Sequence, residues 1–307
     1  MIYYIMTDSL VESDATPFFT QGYIDSIGPM RTINTLIEFM DHKIVWPREI
    51  VFHNTDRQVV DLGVKSALRD ESRLRQGRFN VLRAKYFYTA LFHPNLNPKL
   101  IEVIDENFAK YKPKDYKCRE DVIQAFGVWH RPFPPTTSPR FGPIGYSVVF
   151  ASFDEEVPKV LVGLRSENLA VMPGVWTTSC DETMASLGGW YRTKISDALY
   201  SEMSFSRTFS DEQEPIFLGW MVPELRDPGM IQSLIFQSGA NAVFLVQKSS
   251  EDLKDMLEIT IQGTKSGDKS SEFIRFEIRA VDDPFFKEQP VTEILHKTLA
   301  TLQKKSR

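Results

Sequence analysis

"LVGLRSENLAVMPGVWTTSCDE", residues 161–182, decides how this chain is read. It opens on an apolar run, Leu161 to Leu164, that suits a buried strand. The run ends in Arg165 and Ser166. A loop follows, closed by Pro173 and Gly174, a pair that punctuates the chain. Gly174 to Cys180 then reads as a further strand, rich in the β-branched and aromatic residues that fit a pleated surface. Asp181 and Glu182 close the stretch. An arginine at the end of an apolar strand has two ordinary partners, a phosphate or a core carboxylate.

The flanking sequence continues the pattern. "IGYSVVFASF" (144–153) reads as a strand, "DEEVP" (154–158) as a turn, and "KVLVGLRS" (159–166) as the other arm of a hairpin. "TKISDALYSEM" (193–203) predicts a helix, with Ile195, Leu199 and Met203 on one side and Ala198 beside them. "EPIFLGWMVP" (214–223), "NAVFLVQKS" (241–249) and "SSEFIRFEIRA" (270–280) read as strands. "SSEDLKDML" (249–257) opens a helix that Ser249 or Ser250 caps, with acids in its first turn. "QPVTEILHKTLATLQKK" (289–305) is a closing helix with Pro290 near its start and Lys304 and Lys305 near its end.

Ahead of this lies "HRPFPPTTSPRFGP", residues 130–143, with five prolines and no apolar period. It reads as a linker or strap. The division is therefore an N-terminal α/β domain at 1–129, the Pro-rich strap at 130–143, and a second domain at 144–307. In the first part, "IYYIM" (2–6) and "REIVFHN" (48–54) read as strands. "MRTINTLIEFMDH" (30–42) and "DRQVVDLGVKSAL" (56–68) read as helices. "RAKYFYTALF" (83–92) fits either, and "NPKLIEVIDENFAKY" (97–111) is a helix with Pro98 in its first turn. The expected fold class is α/β (α+β), a mixed β-sheet flanked by helices.

Composition narrows the function classes. The 307 residues carry 36 basic and 41 acidic side chains, a net charge of -5. Nucleic acid is not indicated by that balance, and Arg73, Arg75 and Arg78 read as a solvated loop. Two cysteines, Cys118 and Cys180, fit no metal spacing or disulfide framework. No stretch approaches the roughly 18 apolar residues of a membrane span, and the start lacks a signal-peptide pattern. A cytoplasmic protein is the expectation.

The order of elements from 141 onward resembles the Nudix hydrolases. The resemblance is carried by Arg165-Ser166, then Pro173-Gly174-x-Trp176, with "RFGPIGYSVVF" as the opening strand. It implies a mixed sheet flanked by helices and the cleavage of nucleoside diphosphates linked to another group. It also implies a helix bearing Glu residues three and four apart, on one face, that gather Mg²⁺. The metal would neutralise the diphosphate and activate water. Laid on "DALYSEMSF" (197–205), the family pattern puts Asp197 at its Arg and Ala198 at its first Glu. The paired Glu positions fall on Ser201 and Glu202, and the Gly on Ser204. Glu202 alone keeps its acid, so the box is degenerate, and neutral Ala and Ser cannot replace two carboxylates around a divalent ion.

The candidate residues follow from that resemblance. Glu202 and Glu272 are the candidate catalytic acids, and Glu182 and Glu202 the candidate metal ligands, with Mg²⁺ as the implied cofactor. Arg165, Trp176 and Trp190 are the candidate ligand-binding residues, the tryptophans as stacking faces or as packing. Asp181 and Glu182 read equally as the end of a strand. Three functions are carried forward. The first is a divergent Nudix-like binder of a nucleotide or nucleoside-diphosphate derivative with weak or no metal-dependent hydrolysis. The second is a Mg²⁺-dependent hydrolase with a rearranged acidic site. The third is a non-enzymatic interaction module with a protein partner or a second copy.

Overall fold

A computed structural model describes residues 2–5, 39, 42–50, 58–61, 81–84, 93, 95–122, 142–143, 145–183, 195–199, 203, 214–223, 241–265 and 272–305. The strands, in chain order, are β1 (Ile2–Ile5), β2 (Gln58–Asp61), β3 (Val81–Ala84), β4 (Gly142–Pro143), β5 (Gly145–Ser152), β6 (Lys159–Arg165), β7 (Trp176–Thr177), β8 (Cys180–Thr183), β9 (Ile216–Pro223), β10 (Asn241–Gln247) and β11 (Phe273–Ala280). The helices are α1 (Pro98–Tyr111), α2 (Ser250–Lys265), α3 (Phe285–Glu288) and α4 (Glu293–Lys305). Residues 195–199 and 203 are also helical.

The expected mixed sheet flanked by helices is present. Its main path runs β1-β9-β10-β5-β6-β11, with β7 beside β6 and β8 beside β5. Only β10 and β5 run parallel in it; the other pairings among the described strands are antiparallel. A parallel pair needs both faces covered, and every residue of β5 is buried. On one face Val148, Phe150, Leu161, Phe244 and Val246 pack under Ile195, Ala198, Leu199, Met203 and α2. On the other, Val149, Ala151, Val160, Val162, Val243 and Leu245 pack under α3 and α4. Period-two alternation therefore feeds two apolar layers, each buried large side chain contributing about 1.5–3 kcal/mol.

The helices keep their sequence logic. Ser249 and Asp252 satisfy each other's backbone N–H groups at the start of α2, a reciprocal cap. Thr292 caps α4 by accepting from the Leu295 N–H at 3.2 Å. Asn97 caps α1, and Leu100, Ile104 and Phe108 form its buried face. Lys112 ends α1 in the left-handed region at φ 48°, its N–H returning to the Phe108 carbonyl.

Three expectations need correction. "GVWTTSC" is not one strand. β5 and β6 pair with each other only at Ala151–Val160 and Ser152–Lys159, and residues 176–183 enter the gap between them. β7 pairs with β6, and β8 with β5. Ser179 sits where the strand breaks. Its hydroxyl accepts from the Phe150 N–H at 3.0 Å and donates to the Leu161 carbonyl at 2.6 Å, satisfying the parted backbones. Gln58–Asp61, expected in a helix, is strand β2, hydrogen-bonded to β3 and β4. Its β-branched pair suits a strand once partners exist. Residues 48–50, expected to begin a strand, make a turn, with the Ile50 N–H on the Pro47 carbonyl.

Pairings also cross the Pro-rich strap. β1 hydrogen-bonds to β9, from Ile2–Pro223 to Ile5–Trp220. β4, from the strap's end, pairs with β2. Among the described residues, no helix is long and apolar enough to cross a membrane.

Candidate functional site

Arg165 ends β6 with its guanidinium turned into protein, the residue only 8% exposed. Its Nη1 lies 2.8 Å from Glu272 Oε1, and the Glu272 side chain is 3% exposed. Its Nε donates to the Met172 carbonyl at 3.2 Å and its Nη2 to the Val171 carbonyl at 3.3 Å. The backbone repeats the link, because the Ser166 N–H donates to the Glu272 carbonyl at 2.6 Å. Of the two partners the sequence left open for Arg165, the structure supplies the carboxylate.

The loop between Ser166 and Val175 is built to present those carbonyls. Met172 has φ 50° and Gly174 φ 67°, both left-handed. Glycine adopts that region at little cost. A Cβ at Gly174 would also lie 2.6 Å from Glu167 Oε1. The Arg165 N–H reaches across to the Val175 carbonyl at 3.0 Å, closing the loop's base.

A second segment holds the loop from outside. Leu96 bridges Val171. The Met172 N–H donates to the Asn95 carbonyl, and the Asn97 N–H to the Ala170 carbonyl, both at 2.8 Å. The Asn97 amide donates to the Glu167 and Leu169 carbonyls, each at 3.0 Å. Beside it, Arg119 donates from Nη2 to the His93 carbonyl. The His93 imidazole is pulled down to about 3, by burial first and then by the cations Arg119 and Arg165. It is neutral, and Nδ1 accepts the Asn95 N–H at 3.1 Å.

The acids after the second strand divide. Asp181 accepts from the hydroxyls of Ser147 and Thr177. Burial raises its carboxyl above the usual carboxylate range, opposed by those two hydroxyls and by Arg165. Thr177 meets Thr292 at 3.0 Å, so this polar row ends at the cap of α4. Glu182 lies on β8 opposite Tyr146, half-buried. Both acids therefore sit within a strand, beyond the strand end the sequence suggested.

Trp176 is 3% exposed, its ring edge-on to Phe285 at 5.0 Å between centroids. That is the packing role. Cys180 is buried in the same core as Tyr146 and Val148. Glu202 and Trp190 lie outside the described residues, as do Arg73, Arg75 and Arg78. Ala198 is 3% exposed among Ile195, Leu199 and Met203.

Mg²⁺ takes oxygen ligands in near-octahedral geometry and parts with water reluctantly. Of the acids described, Glu272 is committed to Arg165 and Asp181 to two hydroxyls. Among the described residues no three His, Cys, Asp or Glu side chains gather as a metal centre would require. Glu182, one candidate ligand, is half-buried on β8, and Glu202, the other, lies outside the described residues.

Sequence reasoning missed Asn97, His93 and Arg119. "NP" at 97–98 carried a signal for the cap, an Asn ahead of a Pro at the first helical position. Nothing local signalled that the same amide reaches carbonyls 70 and 72 residues away.

No family model and no curated protein matches the chain. Solved structures do give likenesses, among them these two. One is to DR0079 from Deinococcus radiodurans, at 10% identity and a TM-score of 0.33, covering 52% of this chain and 82% of that one. The other is to the NUDIX domain of Shewanella oneidensis NrtR, in complex with ADP ribose. It has 9% identity and a TM-score of 0.33, covering 59% of this chain and 97% of that one. Likenesses of that size carry nothing about ligand or chemistry to this chain.

Proposed function

We propose that this chain is a divergent Nudix-like protein that binds a nucleotide or nucleoside-diphosphate derivative, with weak or no metal-dependent hydrolysis. The observation that carries the reading is Ala198. The family pattern wants a carboxylate there, and this chain has a buried methyl group inside an apolar layer. The position belongs to the core, where a charge costs several kcal/mol or is neutralised. Glu272 points the same way, since a carboxylate already paired with Arg165 is poorly placed to serve as a base or ligand.

The Arg165-Ser166 to Pro173-Gly174-x-Trp176 stretch supports the binding half of the proposal. Its loop is ordered by its own backbone bonds, by two left-handed residues and by Arg165. Such a preformed loop offers a ligand a surface whose ordering cost is already met. Arg165 acts in it as an organiser, holding the loop's shape through Val171 and Met172. The unit at 1–129 then serves the same loop, through residues 93–97.

Isothermal titration of the full chain against nucleoside mono-, di- and triphosphates and ADP-ribose tests the binding, with and without Mg²⁺. Binding that Mg²⁺ leaves nearly unchanged, with little release of nucleoside monophosphate, is the expected result. Failure of every nucleotide to bind overturns the ligand assignment. Brisk Mg²⁺-dependent release overturns the claim of weak hydrolysis and returns the reading to an acidic site that includes Glu182 and Glu202.

A further inference from the structure

We propose that Asn97 is a positioning residue for the Arg165 loop, coupling the start of α1 to the guanidinium 68 residues further along the chain. Its side chain does two separable jobs. The Oδ1 atom accepts the Lys99 N–H at 3.1 Å and caps α1. The Nδ2 atom donates to the Glu167 and Leu169 carbonyls, each at 3.0 Å. One planar amide thus faces a helix with its acceptor and a loop with its donor.

The chain of contacts continues inward. Asn97 is 4% exposed and Leu96 3%, so the junction is dry. The backbone of Asn95 to Asn97 runs antiparallel to 170–172, through the Met172 to Asn95 and Asn97 to Ala170 bonds and the Leu96–Val171 bridge. Val171 and Met172 are the residues whose carbonyls receive Nη2 and Nε of Arg165. Met172 holds φ 50°, a region a non-glycine residue keeps only when its surroundings fix it. The clamp supplies that fixing. Displacing the loop from 95–97 removes the carbonyl pair that orients Arg165 and leaves Glu272 as its remaining anchor in this set.

The two jobs come apart by substitution. Asn97→Ser keeps a good capping oxygen but is too short to reach the loop carbonyls. Asn97→Asp keeps the cap and places an oxygen where the donor was. Asn97→Ala removes both functions. Hydrogen exchange on the full-length chain reads the loop and α1 independently. In N97S and N97D the Met172 amide is expected to exchange on the order of tenfold faster than in wild type, or more, while the interior of α1 keeps its protection. In N97A the first turn of α1 loosens as well.

Wild-type exchange at 167–172 in both N97S and N97D overturns the proposal. So does equal loss of protection in α1 and the loop in both, since that is the signature of a helix cap alone. The link to ligand rests on the proposed binding role of the loop. Where wild type binds a nucleotide of the titration panel, N97S is expected to weaken it, and an unchanged Kd with a loosened loop removes Asn97 from the site. Where wild type binds none, the binding proposal falls and the exchange data alone judge the clamp.

Discussion

Replacing Glu272 with Gln is the sharpest perturbation of the core of this site. The substitution keeps shape and one acceptor oxygen but removes the charge that faces Arg165. The pair is 2.8 Å apart, with side chains 10% and 3% exposed. Arg165 stays protonated in any accessible range, so the variant strips a buried cation of the carboxylate that its Nη1 faces. Removing one partner of such a pair costs about 3–5 kcal/mol. The retained hydrogen bond from Nη1 places E272Q at about 3 kcal/mol, near the lower end of that range. At about 2–3 °C per kcal/mol for a domain of this size, the midpoint of thermal unfolding falls by roughly 6–9 °C.

Urea titration at low and high salt is the assay, because a surface pair is screened by salt and a buried one is not. Most of the loss is expected to persist in 1 M salt, roughly one Debye length of 3 Å. Changing both partners, Arg165→Met with Glu272→Leu, is expected to recover much of it, since a well-packed apolar pair replaces a buried ion pair at little net cost. A loss under about 1 kcal/mol for E272Q, the size of an exposed pair, refutes the reasoning. It would mean that water or another cation already serves Glu272, and Glu272 would return as a candidate catalytic acid.

Ala198→Glu puts a carboxylate at a buried position. It is expected to destabilise by about 3 kcal/mol or more and to gain no Mg²⁺-dependent hydrolysis in a nucleotide-release assay. Gly174→Ala is expected to cost about 1 kcal/mol or more by urea unfolding, from the positive φ and the Glu167 contact. Asp181→Asn tests a sign. Burial raises the folded-state carboxyl of Asp181, so its contribution is fully present below the unfolded carboxyl pKa and is lost as pH rises through the folded one. The stability of wild type minus D181N is therefore expected to fall across that acid range, and a difference that rises with pH contradicts it. His93 has the opposite sense: pulled down to about 3, it makes wild type lose stability, relative to His93→Gln, as pH falls from about 6.5 toward 3.

What could be read from the sequence was what period and punctuation encode. β5, β6, β9, β10 and β11 are apolar runs bounded by turn residues, and each appears where its run lies. α1, α2 and α4 announce their starts, through Pro98, the Ser249-Ser250 pair and Pro290. What could not be read is information that the chain stores in pairing. "GVWTTSC" is a good strand by composition, and only the parting of β5 and β6 makes Ser179 a break with a hydroxyl on each side of the gap. "QVVD" is a strand because β3 and β4 lie beside it, a fact absent from its own residues. Arg165 posed the same difficulty. Its neighbours in sequence could say that it would be paired, but its partner lies 107 residues away.

That distance bears on how, on the proposed reading, a helix short of carboxylates and the Arg165-Ser166 to Pro173-Gly174-x-Trp176 stretch coexist in one chain. A metal site is a property of several carboxylates converging, so on the proposed reading the neutral Ala198 and Ser201 would leave too few of them to gather the ion. The loop is a property of backbone geometry. Its shape is set by Met172 and Gly174 in left-handed conformations, by the Arg165–Glu272 pair, and by Asn97 from outside. Among the described residues, none of those supports involves 195–199 or Met203. Changes on that helix can therefore accumulate without disturbing the loop, provided they stay apolar where they face the sheet, as Ala198 does. Loss of the loop's supports would instead expose a buried guanidinium and a buried carboxylate together, a cost of several kcal/mol that the fold does not tolerate cheaply.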